Sequence, residues 1–306
     1  MDSWSIYNNM KLGIVHFKAY PQARDGDVVA DTLEKILEDD FWTAIEVGMV
    51  RDIRERNRVR MMLETAHIEV AYATQPKVLG GKLNLNSLDK AERRKAISGV
   101  KSCVDEAFDL GASVMRILSG KDPGDADREE AKKILIDSFS EIIEYAATLG
   151  EMKFRLKVFD RDIDKKALIG HFSDAADVAK PLAAKYPNFG LLSDLSHFPL
   201  LQEEPKEALE KVKQYPLDFH IGNCAMRDRL DPAYGDLQPR FGYPGGEQDT
   251  EDVRKYFQLL KDMKLIGPDK KPILSVEVRP LLQHETSEMI IVNAKRVIKE
   301  AWAAVV

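Results

Sequence analysis

The chain has 306 residues, which is enough for one large α/β domain or two smaller ones. With 44% hydrophobic and 31% charged residues, its composition is that of a globular protein, and no stretch has the roughly 18 uncharged apolar residues that a membrane span needs. The net charge is −6, and no block of basic residues that could neutralise phosphates is present. We therefore expect neither disorder, nor membrane insertion, nor a nucleic-acid partner.

The amino-terminal segment and the number of cysteines both indicate the cellular compartment in which we expect the protein. Residues 1–17 lack a basic segment followed by a long apolar run, which predicts no secretory signal and a cytoplasmic location. Only Cys103 and Cys224 are present, too few for a disulfide framework or a four-thiolate zinc site. The fold must then depend on its hydrophobic core, in which we expect Trp4 and Trp42 to be packing residues.

Short apolar runs alternate with long charged segments of helical period from residue 11 almost to the end of the chain. This alternation is typical of repeated βα units. Helical segments are predicted at residues 27–40, 90–111, 127–150 and 250–267, among others, to a total of eight. Eight runs predict strands: Lys11–Phe17, Trp42–Gly48, Ile68–Thr74, Ser113–Leu118, Phe154–Phe159, Phe189–Asp194, Leu217–Gly222 and Ile273–Val278.

Two architectures fit such a pattern, an open doubly wound sheet and a closed (βα)8 barrel. The first strand is not followed by G-x-G-x-x-G, and the chain has no G-x-x-x-x-G-K-[ST] phosphate loop, which favours the barrel. We predict a single TIM barrel domain over residues 1–306. A residue capable of chemistry stands at or near the end of each predicted strand, where barrel active sites lie: His16, Glu46, Thr74, Arg116, Lys157, Asp194, His220 and Glu277.

Two loops on the predicted active-site face are longer than usual, Gln75–Leu88 and Asn223–Gln248. The second contains four glycines that permit tight turns and three arginines, Arg227, Arg229 and Arg240, that can hold an anion or hydroxyl groups. It is interpreted as a substrate loop or lid, with an irregular surface loop as the alternative.

The last three strands bring an acid, an imidazole and an acid to one end of the barrel, in Asp194, His220 and Glu277. Such mixed oxygen and nitrogen ligands suit a divalent metal. Five motifs accompany them: FDRDIDKKALIG, GLLSDLSHFPLL, FHIGNC, YGDLQPRFGYPGG and SVEVRP. Together they resemble the xylose isomerase-like TIM barrel superfamily, in particular its sugar phosphate isomerase/epimerase family, over nearly the whole chain.

The resemblance implies a divalent metal, Mn, Zn or Mg, held by Asp194, His220, Glu277 and a glutamate that ends strand five. This chain departs from that pattern twice, because the strand-five position is Lys157 and a position that is often His is Gln238. A metal is therefore expected, or is absent because of Lys157. An ion pair at 4 Å is worth about 4 kcal/mol at an effective dielectric near 20, so Lys157 between the two carboxylates would replace a metal electrostatically. The same carboxylates oppose a neutral lysine acting as a base or forming a Schiff base.

The resemblance also implies chemistry, namely proton transfer at a carbon beside a carbonyl, with Glu277 as base and with Lys157 and His197 as further catalytic candidates. Contacts with substrate are expected from His16, Glu46 and Arg116. Two alternatives carry equal weight: His16 is a packed, hydrogen-bonded core histidine, and Glu46 and Arg116 form an ion pair inside the barrel. The predicted substrate-binding residues are His16, Glu46, Arg116, Asp160, Arg161, Gln238 and Arg240.

Three functions follow as hypotheses. The first is an isomerase or epimerase of a sugar, sugar phosphate, polyol or keto acid. The second is a metal-free, catalytically impaired carbohydrate-binding or accessory subunit, which Lys157 and Gln238 favour. The third is a lyase of the C-glycoside deglycosidase type, which would use a smaller partner subunit. The expected partner is a small sugar-like molecule, and a homo-oligomer is left open.

Overall fold

The computed structural model describes residues 5–306, so that Trp4 lies outside the described residues. Eight parallel strands pair in chain order, and the first pairs with the last, which confirms the predicted closed (βα)8 barrel. The strands are β1 (Lys11–Val15), β2 (Ala44–Val47), β3 (Glu69–Ala73), β4 (Val114–Ile117), β5 (Lys153–Lys157), β6 (Phe189–Asp194), β7 (Leu217–Gly222) and β8 (Ile273–Glu277).

Several predicted strands extended too far. His16 and Phe17 belong to a short helix that follows β1, and Val158 and Phe159 follow the end of β5. These residues are apolar or buried because they pack under the loops at the carboxyl end of the barrel, and hydrophobicity alone does not mark where strand pairing stops. The bounds of β6 and β7 are as predicted.

Helices surround the barrel, and no helix within residues 5–306 is both long and apolar enough to cross a membrane. Helix α5 occupies the first part of the predicted loop Gln75–Leu88, whereas Asn223–Gln248 contains no helix or strand. The helices are α1 (Ile6–Asn9), α2 (His16–Ala19), α3 (Val29–Leu37), α4 (Ile53–Ala66), α5 (Gln75–Gly80), α6 (Lys90–Asp109), α7 (Arg128–Ala147), α8 (Phe172–Lys185), α9 (Phe198–Leu201), α10 (Pro205–Glu210), α11 (Thr250–Asp262) and α12 (Ser287–Ala303).

The hydrophobic core lies mainly between the strands and the helices, because alternate strand residues face outward. On β8, for example, Leu274 and Val276 belong to this core, whereas Glu277 contacts residues of β5 and β7 inside the barrel. The interior has a small apolar cluster at its amino-terminal end, formed by Ala44, Ala71, Val114 and Ile273. A second one, formed by Val15, Phe17 and Ala73, lies where β1 and β3 end. Several charged side chains also point into the interior, which is costly unless the charges are paired or functional.

Candidate active site

Lys157, the last residue of β5, lies at the centre of a buried ionic cluster. Its Nζ is 2.9 Å from Asp194 Oδ2, 2.5 Å from Glu277 Oε2 and 3.3 Å from His220 Nδ1. His220 Nδ1 is in turn 2.8 Å from Glu277 Oε2. None of these four side chains is more than 1% exposed. The ammonium group therefore lies among the three side chains predicted to bind a metal.

Strand register brings these side chains together. Asp194 pairs with His220 across β6 and β7, and Gly222 pairs with Glu277 across β7 and β8. Because parallel strands of a barrel end on the same face, the final residues of β5, β6 and β8 meet there, and His220 on β7 points into the same space.

Neighbouring charges determine the protonation states of Lys157 and Glu277. Burial alone would lower the pKa of Lys157, but Asp194 and Glu277 outweigh it and raise that pKa well above its ordinary value. Burial would raise the pKa of Glu277, yet Lys157 and Lys18 hold it well below its usual range. At neutral pH the cluster therefore contains a lysine ammonium and a glutamate carboxylate.

Lys18 is a member of the site that the sequence did not reveal. It lies on α2, directly after β1, and its Nζ is 2.9 Å from Glu277 Oε1. Glu277 is thus held between two ammonium groups, one on each oxygen. The Lys18 side chain is 20% exposed, so it connects the buried cluster to solvent.

A second group of charges adjoins the first, and the sequence reasoning missed two of its members. Asp236 Oδ2 is 2.8 Å from Lys165 Nζ, and Asp236 Oδ1 is 3.4 Å from His197 Nε2. His197 Nε2 is also 3.6 Å from Asp194 Oδ2, which places the imidazole between the two aspartates. Burial would raise the pKa of Asp236, but His197 and Lys165 lower it well below its usual range. His197 thus lies beside the cluster, as the resemblance implied.

Charged side chains continue from the cluster into the barrel. His220 Nε2 is 2.9 Å from Glu46 Oε2, and Arg116 Nε is 3.4 Å from that same oxygen. Arg116 Nη1 donates to Asp218 Oδ2 over 2.5 Å. Glu46 and Arg116 therefore form the interior ion pair considered above, and their predicted contacts with substrate stay predictions.

Gln238 lies in the long loop 223–248, and it covers the cluster. It is fully buried, its backbone adopts φ = +59°, and its Nε2 donates to Asp236 Oδ1 over 2.5 Å and to Ser196 Oγ over 3.2 Å. A left-handed backbone at a residue other than glycine is costly, and these hydrogen bonds help to hold Gln238 in that conformation.

Gly222 permits this close approach, because a Cβ there would clash with Gln238 Oε1 and lie 2.6 Å from the Glu277 carbonyl oxygen. We therefore expect Gly222→Ala to displace Gln238 and the end of β8, and to destabilise the protein by about 1–3 kcal/mol, the usual range for overpacking. Urea unfolding measures the loss. Gly80→Ala, where nothing lies within 4 Å, is the control and should change the unfolding free energy much less.

Three other predicted substrate-binding residues have partners within the fold. Asp160 accepts hydrogen bonds from the backbone N–H groups of residues 163–165 and so shapes that turn. Arg161 pairs with Asp174. Arg240 Nε is 3.2 Å from Glu285 Oε1, which ties the covering loop to the segment before α12. The structure does not bring these residues into the cluster, and their substrate contacts stay predictions.

His16 is a buried histidine at the start of α2, where it contacts α3. Its Nε2 is 2.8 Å from Thr32 Oγ1, which itself donates to the backbone oxygen of Val28 or Val29, so His16 is the donor in this pair. Its side chain is about 1% exposed, and burial lowers the pKa of His16 to about 3. This environment matches a packed core histidine better than a substrate ligand.

The lowered pKa of His16 predicts a pH dependence of stability. The unfolded chain takes up a proton near pH 6.5 and the folded chain does not, so stability is fully present above pH 6.5 and is lost as the pH falls. The expected loss is about 1.4 kcal/mol per pH unit between 6.5 and 3. Urea unfolding at pH 7.5 and pH 5.0 should therefore show wild type losing about 2 kcal/mol more than His16→Gln. Equal losses in the two proteins would contradict this account.

The residues of the cluster contain a set of side chains that could bind a divalent metal. Asp194, His220 and Glu277 offer ligand atoms that all lie within 4.8 Å of one another, and two carboxylates with an imidazole suit Mn, Zn or Mg. Lys157, however, contacts all three side chains. A dication about 4 Å from this ammonium would meet a repulsion of about 8 kcal/mol at an effective dielectric near 20. The residues do not fit a divalent ion while Lys157 keeps this position.

Comparison with known proteins identifies the family. A family model described as xylose isomerase-like TIM barrel matches residues 41–281. The chain belongs to the xylose isomerase-like TIM barrel family. This confirms the resemblance at the level of the superfamily. No curated protein sequence matches the chain.

Solved structures of similar fold are consistent with this family. A D-tagatose 3-epimerase-like protein has a TM-score of 0.72 and 17% identity, covering 97% of this chain and 98% of that one. An IOLI protein with a binding zinc atom has a TM-score of 0.72 and 18% identity, covering 96% and 98%. The D-psicose 3-epimerase of Clostridium cellulolyticum H10, solved with D-tagatose, has a TM-score of 0.63 and 15% identity, covering 96% of both. These TM-scores show that the structures share the (βα)8 barrel fold with this chain.

Proposed function

We propose that this protein is an isomerase or epimerase of a small sugar or sugar-derived carbonyl compound, in which the Lys157 ammonium takes the place of a divalent metal. The observation that supports this proposal most directly is the position of Lys157 Nζ, which lies within hydrogen-bonding distance of both Asp194 and Glu277. The epimerase descriptions of the similar structures support the reaction class.

The chemistry follows from the charges. Removing a proton from a carbon beside a carbonyl places negative charge on the carbonyl oxygen, and a fixed cation stabilises that charge. Lys157 is a buried ammonium whose pKa is raised, so it supplies positive charge or a hydrogen bond to such an oxygen rather than acting as a nucleophile. Asp194 and Glu277 are the carboxylates placed to accept the proton.

Access to the cluster requires movement. Lys157, Asp194 and Glu277 are each at most 1% exposed, and Gln238 of the covering loop is buried beside them. A ligand therefore has to open loop 223–248, and turnover requires in addition that Lys18 leaves Glu277. Lys18, which is partly exposed, is placed to exchange its contact with Glu277 for one with a substrate hydroxyl or carbonyl oxygen.

One observation favours a second candidate, a carbohydrate-binding or accessory subunit without turnover. Glu277 carries an ammonium on each oxygen, and this holds its pKa well below the usual range, which makes it a weak base. If Lys18 keeps its contact when ligand binds, Glu277 remains too weak to remove a carbon-bound proton. Binding would then occur without exchange of that proton.

The two candidates are separated by proton exchange with solvent. Chelator-treated protein in D2O is incubated with a panel of ketoses, aldoses, sugar phosphates and keto acids, and ¹H NMR follows deuterium incorporation beside the carbonyl. We expect incorporation with at least one compound, and a loss of about 100-fold or more in Lys157→Gln, as is typical when one electrostatic contributor is removed. Lys180→Gln, on the exposed face of α8, is the control and should exchange at the wild-type rate.

The remaining outcomes would overturn one or both candidates. Saturable binding of a sugar without deuterium incorporation would overturn the enzyme and support the binding subunit. Incorporation that appears only after Mn, Zn or Mg is added would overturn the metal-free role of Lys157. No binding and no exchange across the panel would overturn both candidates.

A further inference from the structure

A basic cavity lies at the opposite end of the barrel from the ionic cluster. It has a volume of about 350 Å³ and opens where the strands begin, so it is separate from the candidate active site. Its volume is in the range of pockets for small ligands. Six basic and two acidic side chains line it: Lys11, Lys153, Arg155, Lys213, Lys270 and Lys271, against Glu69 and Asp218.

The two acidic residues are already engaged. Glu69 pairs with Lys11, and its Oε1 is 4.0 Å from Lys153 Nζ. Asp218 accepts from Arg116 Nη1 over 2.5 Å and from the backbone N–H of Ile273 over 3.1 Å. These two carboxylates balance at most two of the six lining cations, because Asp218 Oδ2 is also 3.4 Å from Arg155 Nε, and Lys213 pairs with Glu210 outside the cavity. The cavity therefore keeps a local excess of positive charge in a chain of net charge −6.

Three features show where this excess lies. Within residues 5–306, Lys270 and Lys271 are exposed and neither has an ion-pair partner. Arg155 is 8% exposed, and its Nη1 is fixed by the backbone oxygens of Phe154 and Asn188. Its Nε is 3.4 Å from Asp218 Oδ2 but makes no hydrogen bond. A fixed guanidinium and two unpaired lysines that line the same cavity are a suitable arrangement for an oxyanion.

We propose that this cavity binds a small multivalent oxyanion, such as a phosphate group or a di- or tricarboxylate. A dianion would offset charge that the protein itself leaves unbalanced. The site does not depend on the proposed sugar chemistry, because it shares no residue with the ionic cluster.

Calorimetric titration of the full chain with inorganic phosphate at low ionic strength tests the proposal, with citrate as a second probe and chloride as a control for screening. We expect one saturable site per chain for phosphate, citrate or both, and none for chloride. In Lys270→Gln/Lys271→Gln the affinity should fall by about tenfold or more, the effect of losing one charge-assisted hydrogen bond. Comparison of phosphate with citrate identifies the preferred oxyanion.

Two matched variants locate the site. Lys90→Gln/Lys95→Gln removes the same charge from the exposed face of α6 and should leave the affinity unchanged. Lys18→Gln removes a cation at the opposite end of the barrel and should also leave it unchanged. The proposal is overturned if no anion saturates, if the α6 variant weakens binding as much as the cavity variant, or if Lys18→Gln abolishes it.

Discussion

Replacing Lys157 by glutamate is expected to convert the ionic cluster into a site that binds one divalent metal per chain. The variant would present three carboxylates and an imidazole at the ends of β5, β6, β7 and β8, and the repelling ammonium would be gone. One unit charge at 4 Å is worth about 4 kcal/mol at an effective dielectric near 20, so we expect Mn or Zn to bind at least about a thousandfold more tightly than to wild type. Plasma mass spectrometry of untagged, dialysed protein measures the metal content.

Two controls separate charge from ligand number in this experiment. Lys157→Gln removes the cation without adding a carboxylate, and its affinity for Mn or Zn should lie between those of wild type and Lys157→Glu. Lys180→Glu makes the same change of charge on the outer face of α8 and should bind no more metal than wild type. Equal, stoichiometric metal in wild type and in Lys157→Glu would show that Lys157 does not block the site.

Removing the guanidinium of Arg116 is expected to destabilise the fold by about 3–5 kcal/mol, the usual cost of leaving buried charges without their partner. In Arg116→Met, Glu46 would keep only its contact with His220, and Asp218 would keep Arg155 at 3.4 Å. Burial would raise the pKa of Asp218, and Arg116 is the largest cause that lowers it. Urea unfolding at pH 7 measures the change in free energy.

Arg58→Met is the matched control for this prediction. Arg58 Nη1 is 2.6 Å from Asp31 Oδ1, a similar ion pair in which both side chains are about half or more exposed. Such exposed pairs contribute about 1 kcal/mol or less. A loss of the same small size in Arg116→Met would mean that water reaches the barrel interior and compensates Asp218 and Glu46.

The barrel and the centre of its candidate site were predictable because both depend on the repeated pattern of strand and helix along the chain. Short apolar runs that alternate with helical segments indicate buried parallel strands. The last residues of such strands meet on one face of the barrel. Asp194 and Lys157 end their strands, so their meeting with Glu277 follows from the architecture alone. The prediction of strand ends was less accurate, since residues such as Phe17 and Phe159 stay buried after pairing stops.

The charges contributed by loops could not be placed in the same way. Lys18 reaches Glu277 from a short helix, and Asp236 reaches His197 from loop 223–248, whose path depends on turns at positive φ. No sequence period specifies such a path. Asp218 is different, because it stands two residues before His220 on a buried strand and must therefore share its inward face. That spacing was a usable signal for the interior ion pairs.

A crystal structure grown with MnCl2, with anomalous data at the manganese edge, tests most directly whether Lys157 takes the position of a metal. The account predicts no anomalous peak among Asp194, His220 and Glu277, and continuous density for Lys157 Nζ between the two carboxylates. A manganese peak bound to these three side chains, with Lys157 turned away from them, would contradict it.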